Sequence, residues 1–394
     1  MKITVPTIDF GTSKIVTMVA QSNGERCDIV GSGAVPYSGY LQDGWNNPDE
    51  IRDVIRTAID QAQKTGNCRI HELNVGVPGM FTRVIVKEVH VSLTGPDPHV
   101  TAQDVRACFK LAEESGGDRI IHSAPAWFRV DDGKKTLSPV GIKGRELSAM
   151  IALVTADKYF IDDITYRLRD MDIEPREFYS TVAGEATYAL SQDERDKTAM
   201  LIDIGYLCTD VMVMEGDALI FHKCLDIGGG HISADIAEQL NIPFPFVEEK
   251  IKQTYSFNST NQDETYVIPA TEDEPARTVR RDEVTPIIEA KVEEIAEAIN
   301  KALEEGGVKL GKWSNVYLTG GGLILNKGGK DFLACKLHRI IREAQRTNNK
   351  MTSHVFSSAV GLTILVVTTQ EEQKAPEGGA KGLFSRAFRW LMGY

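Results

Sequence analysis

The sequence predicts an α/β protein built from two similar halves, with an α+β insertion in the first half and a short amphipathic helix at the end. Three observations carry that prediction. A strand, an Asp-x-Gly turn and a second strand occur at ITVPTIDFGTSKIVTMVAQ and again at AMLIDIGYLCTDVMVMEG, so that Asp203 and Gly205 stand where Asp9 and Gly11 stood. Recurrence of such a pattern marks a duplicated unit. The run VYLTGGGLIL then places three glycines between a strand-like and a helix-like segment. Between the two Asp-x-Gly turns, residues 51–171 alternate between helical and strand-like apolar spacing, the mark of an insertion of mixed type.

In chain order, Ile8 and Phe10 flank Asp9 and lead through Gly11-Thr12-Ser13-Lys14 into a β-rich run, which reads as a hairpin with an acidic residue at its end. Ile51, Val54, Ile55, Ala58, Ile59 and Ala62 fall at helical spacing. Strands are predicted over 73–77 and 83–91, then a helix over 101–115 capped by Thr101 with Asp104 in the box position. Residues 120–130, the surroundings of Leu137 and 146–155 read as strands, and 158–171 return to a helix. In the second half, a strand over 209–214 turns at Glu215-Gly216-Asp217, and a helix follows Gly228-Gly229-Gly230. The polar stretch 255–282 predicts a hairpin and loops, 284–305 an acidic helix with a largely solvated face, and 357–368 a last core helix. Residues 370–381 (QEEQKAPEGGAK) read as a flexible linker and 382–394 as an amphipathic helix.

Composition narrows the function. The chain has 394 residues, enough for two or three domains, and is 42% hydrophobic and 25% charged, as in ordinary globular proteins. With 44 basic and 56 acidic residues its formal charge is -12, and no basic patch stands out, so nucleic acid is not expected as a partner. Cys27, Cys68, Cys108, Cys208, Cys224 and Cys335 form no C-x-x-C pair; their spacing predicts reduced thiols, neither a zinc site nor a disulfide frame. The histidines are scattered without ligand spacing. The opening residues lack a basic segment before a long apolar core, so no secretion signal is expected. The longest apolar stretch, 355–367, falls short of the about 20 residues that span a bilayer, which makes any membrane contact peripheral.

Glycine turns at strand ends let backbone N–H groups face a phosphate chain without an intervening side chain. Asp9 and Asp203 are carboxylates of the kind that hold Mg²⁺ through its water shell. At the other end of the chain, Leu383, Phe384, Ala387, Phe388, Trp390, Leu391 and Tyr394 share one face of a helical wheel, with Ser385, Arg386 and Arg389 on the other. Cations beside bulky aromatics on a short helix suit an anionic membrane surface. Leu383, Phe384, Arg386, Phe388, Arg389, Trp390 and Leu391 are the expected membrane contacts, and one such helix binds only weakly.

The ordered motifs resemble the actin/Hsp70/sugar-kinase ATPase superfamily: IDFGTSK its first phosphate loop, LIDIGYLCTDV its second, VYLTGGGLIL its adenosine motif. Glu185 in STVAGEATYAL and Ala359-Val360-Gly361 in SSAVGLTIL resemble its two connecting helices. Within that superfamily the chain is most similar to the FtsA family of bacterial cell-division proteins. LNVGVPGMFTRVIVKEVHVSLTGPDPHVTAQDVRACFKLA, RIIHSAPAWFRVDD and SPVGIKGRELSAMIALVTA resemble that family's own subdomain 1C, which replaces the 1B of actin.

The resemblance implies a two-lobed actin-like fold of duplicated ribonuclease H-like type. Its subdomains would be 1A at 1–83 and 164–197, 1C at 84–163, 2A at 198–228 and 306–369, and 2B at 229–305. It implies ATP and Mg²⁺ as cofactors. Asp9, Gly11, Thr12, Ser13 and Lys14 would line one wall of the nucleotide cleft and Asp203, Gly205, Tyr206 and Thr209 the other. Lys14 either reaches phosphate or is a solvated turn residue. Gly320, Gly321 and Gly322 would lie under the adenosine, and Lys291 and Glu294 at its ribose or base, with Asp9 and Asp203 as the metal carboxylates. Tyr206-Leu207-Cys208 replaces glycines that many members carry. No residue is identified as a hydrolytic base, so ATP turnover is expected to be slow at most. The implied output is self-association into filaments and tethering of the FtsZ ring to the cytoplasmic face of the membrane at the division site. The FtsZ C-terminal peptide would meet Asn300 and Lys301. Two alternatives stay open: an actin-like adaptor of another membrane machine of type IV pilus kind, and a sugar- or acetate-kinase-like phosphotransferase, for which Asp210 is a candidate base.

Overall fold

The computed structural model describes residues 3–373 apart from 25, 42–43, 118, 262, 271–274, 312–313 and 345–352. The remainder of the predicted linker and the amphipathic tail, with Leu383, Phe384, Arg386, Phe388, Arg389, Trp390 and Leu391, lie outside the described residues.

The chain opens with β1 (Ile3–Phe10), β2 (Lys14–Ser22) and β3 (Cys27–Pro36), then the short pair β4 (Tyr40–Leu41) and β5 (Gly44–Trp45), α1 (Ile51–Gly66) and β6 (Glu72–Val77). The insertion is β7 (Thr82–Ser92), α2 (Ala102–Glu114), β8 (Ile120–Val130) and β9 (Glu146–Ala156). There follow α3 (Lys158–Arg169), β10 (Glu174–Ser180), α4 (Thr181–Ala189) and α5 (Gln192–Arg195). The second half contains β11 (Ala199–Ile204), β12 (Thr209–Glu215), β13 (Ala218–Leu225), α6 (Gly229–Gln239), α7 (Phe244–Phe246) and a π-helical segment, Val247–Lys252. It continues with β14 (Thr265–Ile268), β15 (Arg277–Arg280), α8 (Arg281–Glu305), β16 (Asn315–Thr319), α9 (Gly329–Leu337), β17 (Ile341–Glu343) and α10 (Ser357–Gln373).

Two five-stranded sheets share one connectivity. The first runs β3-β2-β1-β6-β10 and the second β13-β12-β11-β16-β17. In the first, the antiparallel meander continues into the parallel strands β6 and β10. The hairpin register pairs Asp9 with Val16 and closes on Phe10 opposite Ile15, which fixes the acid one residue before the end of its strand. This sheet is covered on both faces. Ile8, Phe10 and Ile15 pack with Ile55 and Ile59 of α1 and Phe160 and Ile164 of α3. On the opposite face, Val5 and Ala20 meet Leu362 and Val366 of α10, and Val16 and Met18 meet Ala359 and Ile364. Double coverage explains why β1 and β2 read as nearly continuous apolar runs rather than alternating ones. Full burial of each of Ile8, Phe10 and Ile15 contributes about 2 kcal/mol, and together they hold the register.

The insertion folds on its own core. β7-β9-β8 is an antiparallel sheet, and Leu147, Ala149, Ile151 and Leu153 pack with Cys108 and Ala112 of α2. Thr101 caps α2 as its sequence predicts: the Thr101 hydroxyl accepts from the Asp104 N–H at 3.3 Å, and an Asp104 carboxylate oxygen accepts from the Thr101 N–H at 2.8 Å. The strand predicted near Leu137 is only an isolated bridge between Phe128 and Thr136.

The described residues divide into two compact units, the first within 3–200, 212–222 and 353–373 and the second within 201–211 and 223–344. Three expected boundaries change. Phe160, Ile164 and Leu168 of α3 lie in the core of the first sheet, so the insertion's own core stops at β9, short of residue 163. The segment 306–369, expected to belong wholly to 2A, is split, because α10 packs on the first sheet. That helix also continues past Thr368 to Gln373, taking the first four residues of the predicted linker.

Candidate functional site

In the first unit, the turn Gly11-Thr12-Ser13 follows Asp9, and side chains from elsewhere in the unit hold it. The Tyr37 hydroxyl donates to the Gly11 carbonyl at 2.8 Å, the Tyr40 hydroxyl to the Phe10 carbonyl at 3.1 Å, and the Tyr37 N–H to the Ser13 carbonyl at 3.2 Å. The Gly11 N–H donates across the turn to the Lys14 carbonyl at 3.0 Å. Lys14 lies with its ammonium 5.2 Å from the Phe356 ring centre, in cation–π range. Asp9 is buried, and its carboxylate accepts from the Ser358 hydroxyl at 2.8 Å. Burial pushes the Asp9 carboxyl above its ordinary range, against the lowering pull of the Ser358 hydroxyl, the Lys14 ammonium and the Thr181 hydroxyl. Ser358 is in the first turn of α10 and Thr181 opens α4, so the N-termini of two helices converge on this acid. Helix N-termini favour negative charge. The same two helices cross by backbone contact: a Cβ at Gly184 would stand 2.9 Å from the Gly361 carbonyl oxygen, and one at Gly361 2.5 Å from Glu185 Cα. The residues Glu185 and Gly361 therefore belong to the support of Asp9.

In the second unit, backbone hydrogen bonds run through the Asp203 turn. The Gly205 N–H donates to the Cys208 carbonyl at 2.9 Å, the Gly322 N–H to the Ile204 carbonyl at 2.7 Å, and the Gly229 N–H to the Gly205 carbonyl at 2.9 Å. Three glycine segments thus interlock. A Cβ at Gly229 would overlap Gly322, one at Gly322 would overlap the Gly205 carbonyl, and one at Gly320, whose φ is 89°, would overlap the Asp203 carboxylate. Gly321 is half-buried between its two buried neighbours. Tyr206 is seated against Gly230: the Gly230 N–H donates to the Tyr206 carbonyl at 2.7 Å, and a Cβ at Gly230 would lie 3.0 Å from the ring. Burial, then the Glu248 carboxylate, pushes the Tyr206 phenol up to about 12.

Two side chains expected at the nucleotide have partners inside this unit. Thr209 is fully buried and its hydroxyl donates to the Ile227 carbonyl at 2.7 Å, so it braces the loop instead of presenting a donor outward. Lys291 is engaged with carboxylates, Asp235 of α6 at 2.9 Å and Glu294 at 2.6 Å. Although burial opposes its charge, Glu294 and Asp235 hold the Lys291 ammonium above its ordinary range. Lys252 also touches the glycine interlock: its ammonium donates to the Gly229 carbonyl at 2.6 Å and lies 5.6 Å from the Tyr206 ring centre. Asn326 joins that segment to the loop after Gly322 through the Lys252 and Tyr255 carbonyls at 2.6 and 3.0 Å. Asn300 and Lys301 are exposed near the C-terminal end of α8, with Lys301 only 3.9 Å from Glu305.

Side chains that motif spacing misses are Tyr37, Tyr40, Thr181, Ser358, Lys252 and Arg195. Arg195 is buried and donates to the Leu190 and Gly216 carbonyls at 2.6 and 3.0 Å and to Asp217 at 3.1 Å. All six cysteines are free thiols. Cys208, Asp210 and Cys224 have their ligand atoms within 4.8 Å of one another, because strands adjacent in the sheet bring together residues that are distant in sequence.

Two sheets of identical connectivity, each with an Asp-x-Gly turn after its central strand, define an actin-like protein. The PilM–PilN type IV pilus biogenesis complex superposes with a TM-score of 0.62 at 17% identity, over 93% of this chain and 99% of that one. MreB5 of Spiroplasma citri bound to ADP does so with a TM-score of 0.55 at 11% identity, over 95% and 99%. At those identities the likeness is one of fold. The family model described as "Cell division protein FtsA" matches residues 200–361, and that described as "SHS2 domain inserted in FTSA" matches residues 79–155. The cell division protein FtsA of Pseudomonas aeruginosa is 24% identical over 98% of this chain and 97% of its own length. That of Bacillus subtilis is 26% identical over 76% and 70%. The chain belongs to the FtsA family of actin-like cell-division proteins.

Proposed function

We propose that this chain acts in cell division as an ATP-dependent, self-associating tether that links a ring of FtsZ to the membrane. The observation that supports the nucleotide half of this reading is the repeat of one loop at one topological position in two equivalent sheets. In the first unit Asp9, Gly11, Thr12, Ser13 and Lys14 are assigned to phosphate, and in the second unit Asp203, Gly205 and Tyr206 are assigned to phosphate. Gly320, Gly321 and Gly322, with Lys252, are assigned to the nucleoside. The residues suit Mg²⁺: Asp9 is a buried carboxylate held by a hydroxyl donor, and Asp203 lies against a glycine where any side chain would displace it. Bound there, the ion offsets the negative charge of the triphosphate. The chemistry assigned to the residues is binding and orientation, with slow turnover at most.

The membrane half rests on the sequence of the tail, whose aromatic and cationic faces suit anionic head groups at the cytoplasmic face of the membrane. A single anchor of this size is marginal, and linking many through a filament raises the effective affinity by roughly 10²–10⁴-fold. The exposed end of α8, at Asn300 and Lys301, is assigned to the FtsZ C-terminal peptide.

Flotation of the full chain with anionic vesicles in ATP and in ADP tests this reading. The expected result is stronger flotation in ATP and none for a chain lacking residues 383–394, which still binds ATP. Equal flotation of the shortened chain would overturn the tether. Unchanged ATP affinity in Asp9→Ala and Asp203→Ala together would overturn the nucleotide assignment. Binding of an FtsZ tail peptide that Lys301→Glu leaves untouched would remove α8 from the interface.

A further inference from the structure

Three side chains of the second unit bring metal-binding atoms together. Cys208 ends the loop after Gly205, Asp210 is the second residue of β12, and Cys224 is the penultimate residue of β13. Their two sulfurs and a carboxylate oxygen all lie within 4.8 Å of one another. Cys208 is buried and the other two half-buried, which limits the water competing for a bound ion. We propose that Cys208, Asp210 and Cys224 form a binding site for a soft divalent cation of the zinc class.

The donor set selects the metal. Two thiolates and one carboxylate suit Zn²⁺, whereas Mg²⁺ and Ca²⁺ take oxygen, so the ion that accompanies a nucleotide does not compete. A tetrahedral zinc with Zn–S bonds of about 2.3 Å and Zn–O bonds of about 2.0 Å sets its donors roughly 3.5–3.8 Å apart. Side chains already within 4.8 Å reach that geometry by closing about 1 Å. Three protein donors leave the fourth position to water, the arrangement of an exchangeable rather than a closed site. The consequence lies in the loop. The Cys208 carbonyl accepts from Gly205, and Cys224 stands four residues before Gly228, at the entrance to the turn that meets Gly205. A cation on both sulfurs therefore cross-links the Asp203 loop to the end of β13 and stiffens it. This consequence for nucleotide affinity rests on the assignment of that loop to phosphate; the metal site does not.

The test uses the full chain, stripped of metal and kept reduced with a phosphine, titrated with Zn²⁺ against a chromophoric chelator, with Co²⁺ as a spectroscopic probe. The expected result is one equivalent bound, with the sulfur-to-cobalt charge-transfer band and the strong visible absorption of a tetrahedral ion. Cys208→Ser and Cys224→Ser each weaken zinc binding at least about tenfold and lose the charge-transfer intensity of one thiolate, while Cys335→Ser changes neither. Asp210→Asn weakens binding about tenfold and keeps the folded signal by circular dichroism, so the test survives if a buried cysteine variant fails to fold. Equal zinc affinity in wild type, Cys208→Ser and Asp210→Asn would overturn the site. ATP affinity is measured in parallel with and without zinc: zinc binding without ATP binding sinks only the nucleotide reading, and ATP binding without zinc binding sinks only this one.

Discussion

The two Asp-x-Gly loops occupy the same position in equivalent sheets, yet they are built by opposite means. Around Asp9 much of the support comes from side chains, with hydroxyls of Tyr37 and Tyr40 from the stretch after β3 and of Ser358 from α10. Around Asp203 it comes mainly from backbone, with Gly229 and Gly322 packed so closely that a Cβ at Gly229 would overlap Gly322 and one at Gly322 the Gly205 carbonyl. A duplicated fold therefore preserves where a loop is placed without preserving what holds it there. The first solution tolerates change at one partner at a time, since each hydrogen bond contributes separately. The second tolerates none, since backbone cannot move aside.

That contrast predicts an order of mutational cost. Gly229→Ala drives a methyl group into the backbone of Gly322 and should lower the unfolding free energy by about 3 kcal/mol, seen as a shifted urea midpoint. At Gly11 the same change meets only the Lys14 carbonyl oxygen, at 3.2 Å, and should cost under about 1 kcal/mol. Equal costs at the two glycines would break the comparison. Ser358→Ala removes one donor from buried Asp9 and should cost about 1–2 kcal/mol. Tyr37→Phe, which deletes a partly buried hydroxyl, should cost about 1 kcal/mol.

A further expected effect concerns acid. Burial pushes the imidazole of His122, on β8, down to about 4 from an ordinary 6.5, so the folded state favours the neutral ring. A group depressed in this way contributes stability that is complete above the ordinary value and fades as pH falls from there toward about 4. His122→Gln should flatten the acid side of a stability profile measured by urea unfolding. A profile that keeps its slope would move the titration to another group.

Much of this was legible in the sequence because it is local. The β1–β2 hairpin, the boxed start of α2 at Thr101 and Asp104, and the glycine turn before α6 are each specified within a few residues. The strand β3, with its small residues Gly31 and Gly33, escaped, because those glycines answer to the backbone of α1, at the Ala62 and Ala58 carbonyls, and not to their own neighbours. Both loops were found from Asp-x-Gly, but their supports were not: Ser358 is 349 residues from Asp9 in sequence. Lys291 and Glu294 carry a likeness at the right spacing and are paired with each other, Lys291 also with Asp235, while Lys252 has no motif around it. The Cys208, Asp210 and Cys224 grouping is invisible to spacing rules because a sheet, not a loop, creates it.

Arg195 carries a last implication, for anyone who would dissect the molecule. Its guanidinium is satisfied by the β12–β13 tip, at Gly216 and Asp217, although those residues come after the first stretch of the second unit in sequence. Nearby, the Asp217 N–H donates to the Pro125 carbonyl at 3.1 Å, and Lys135 reaches Glu215 at 2.9 Å. A fragment ending at residue 200 would keep the Arg195 bond to the Leu190 carbonyl but lose Gly216 and the carboxylate of Asp217, its ion-pair partner, and would expose the seat of the missing tip. Severing the halves at their apparent seam would thus cripple the piece that looks complete, and any workable excision has to carry that small borrowed finger along.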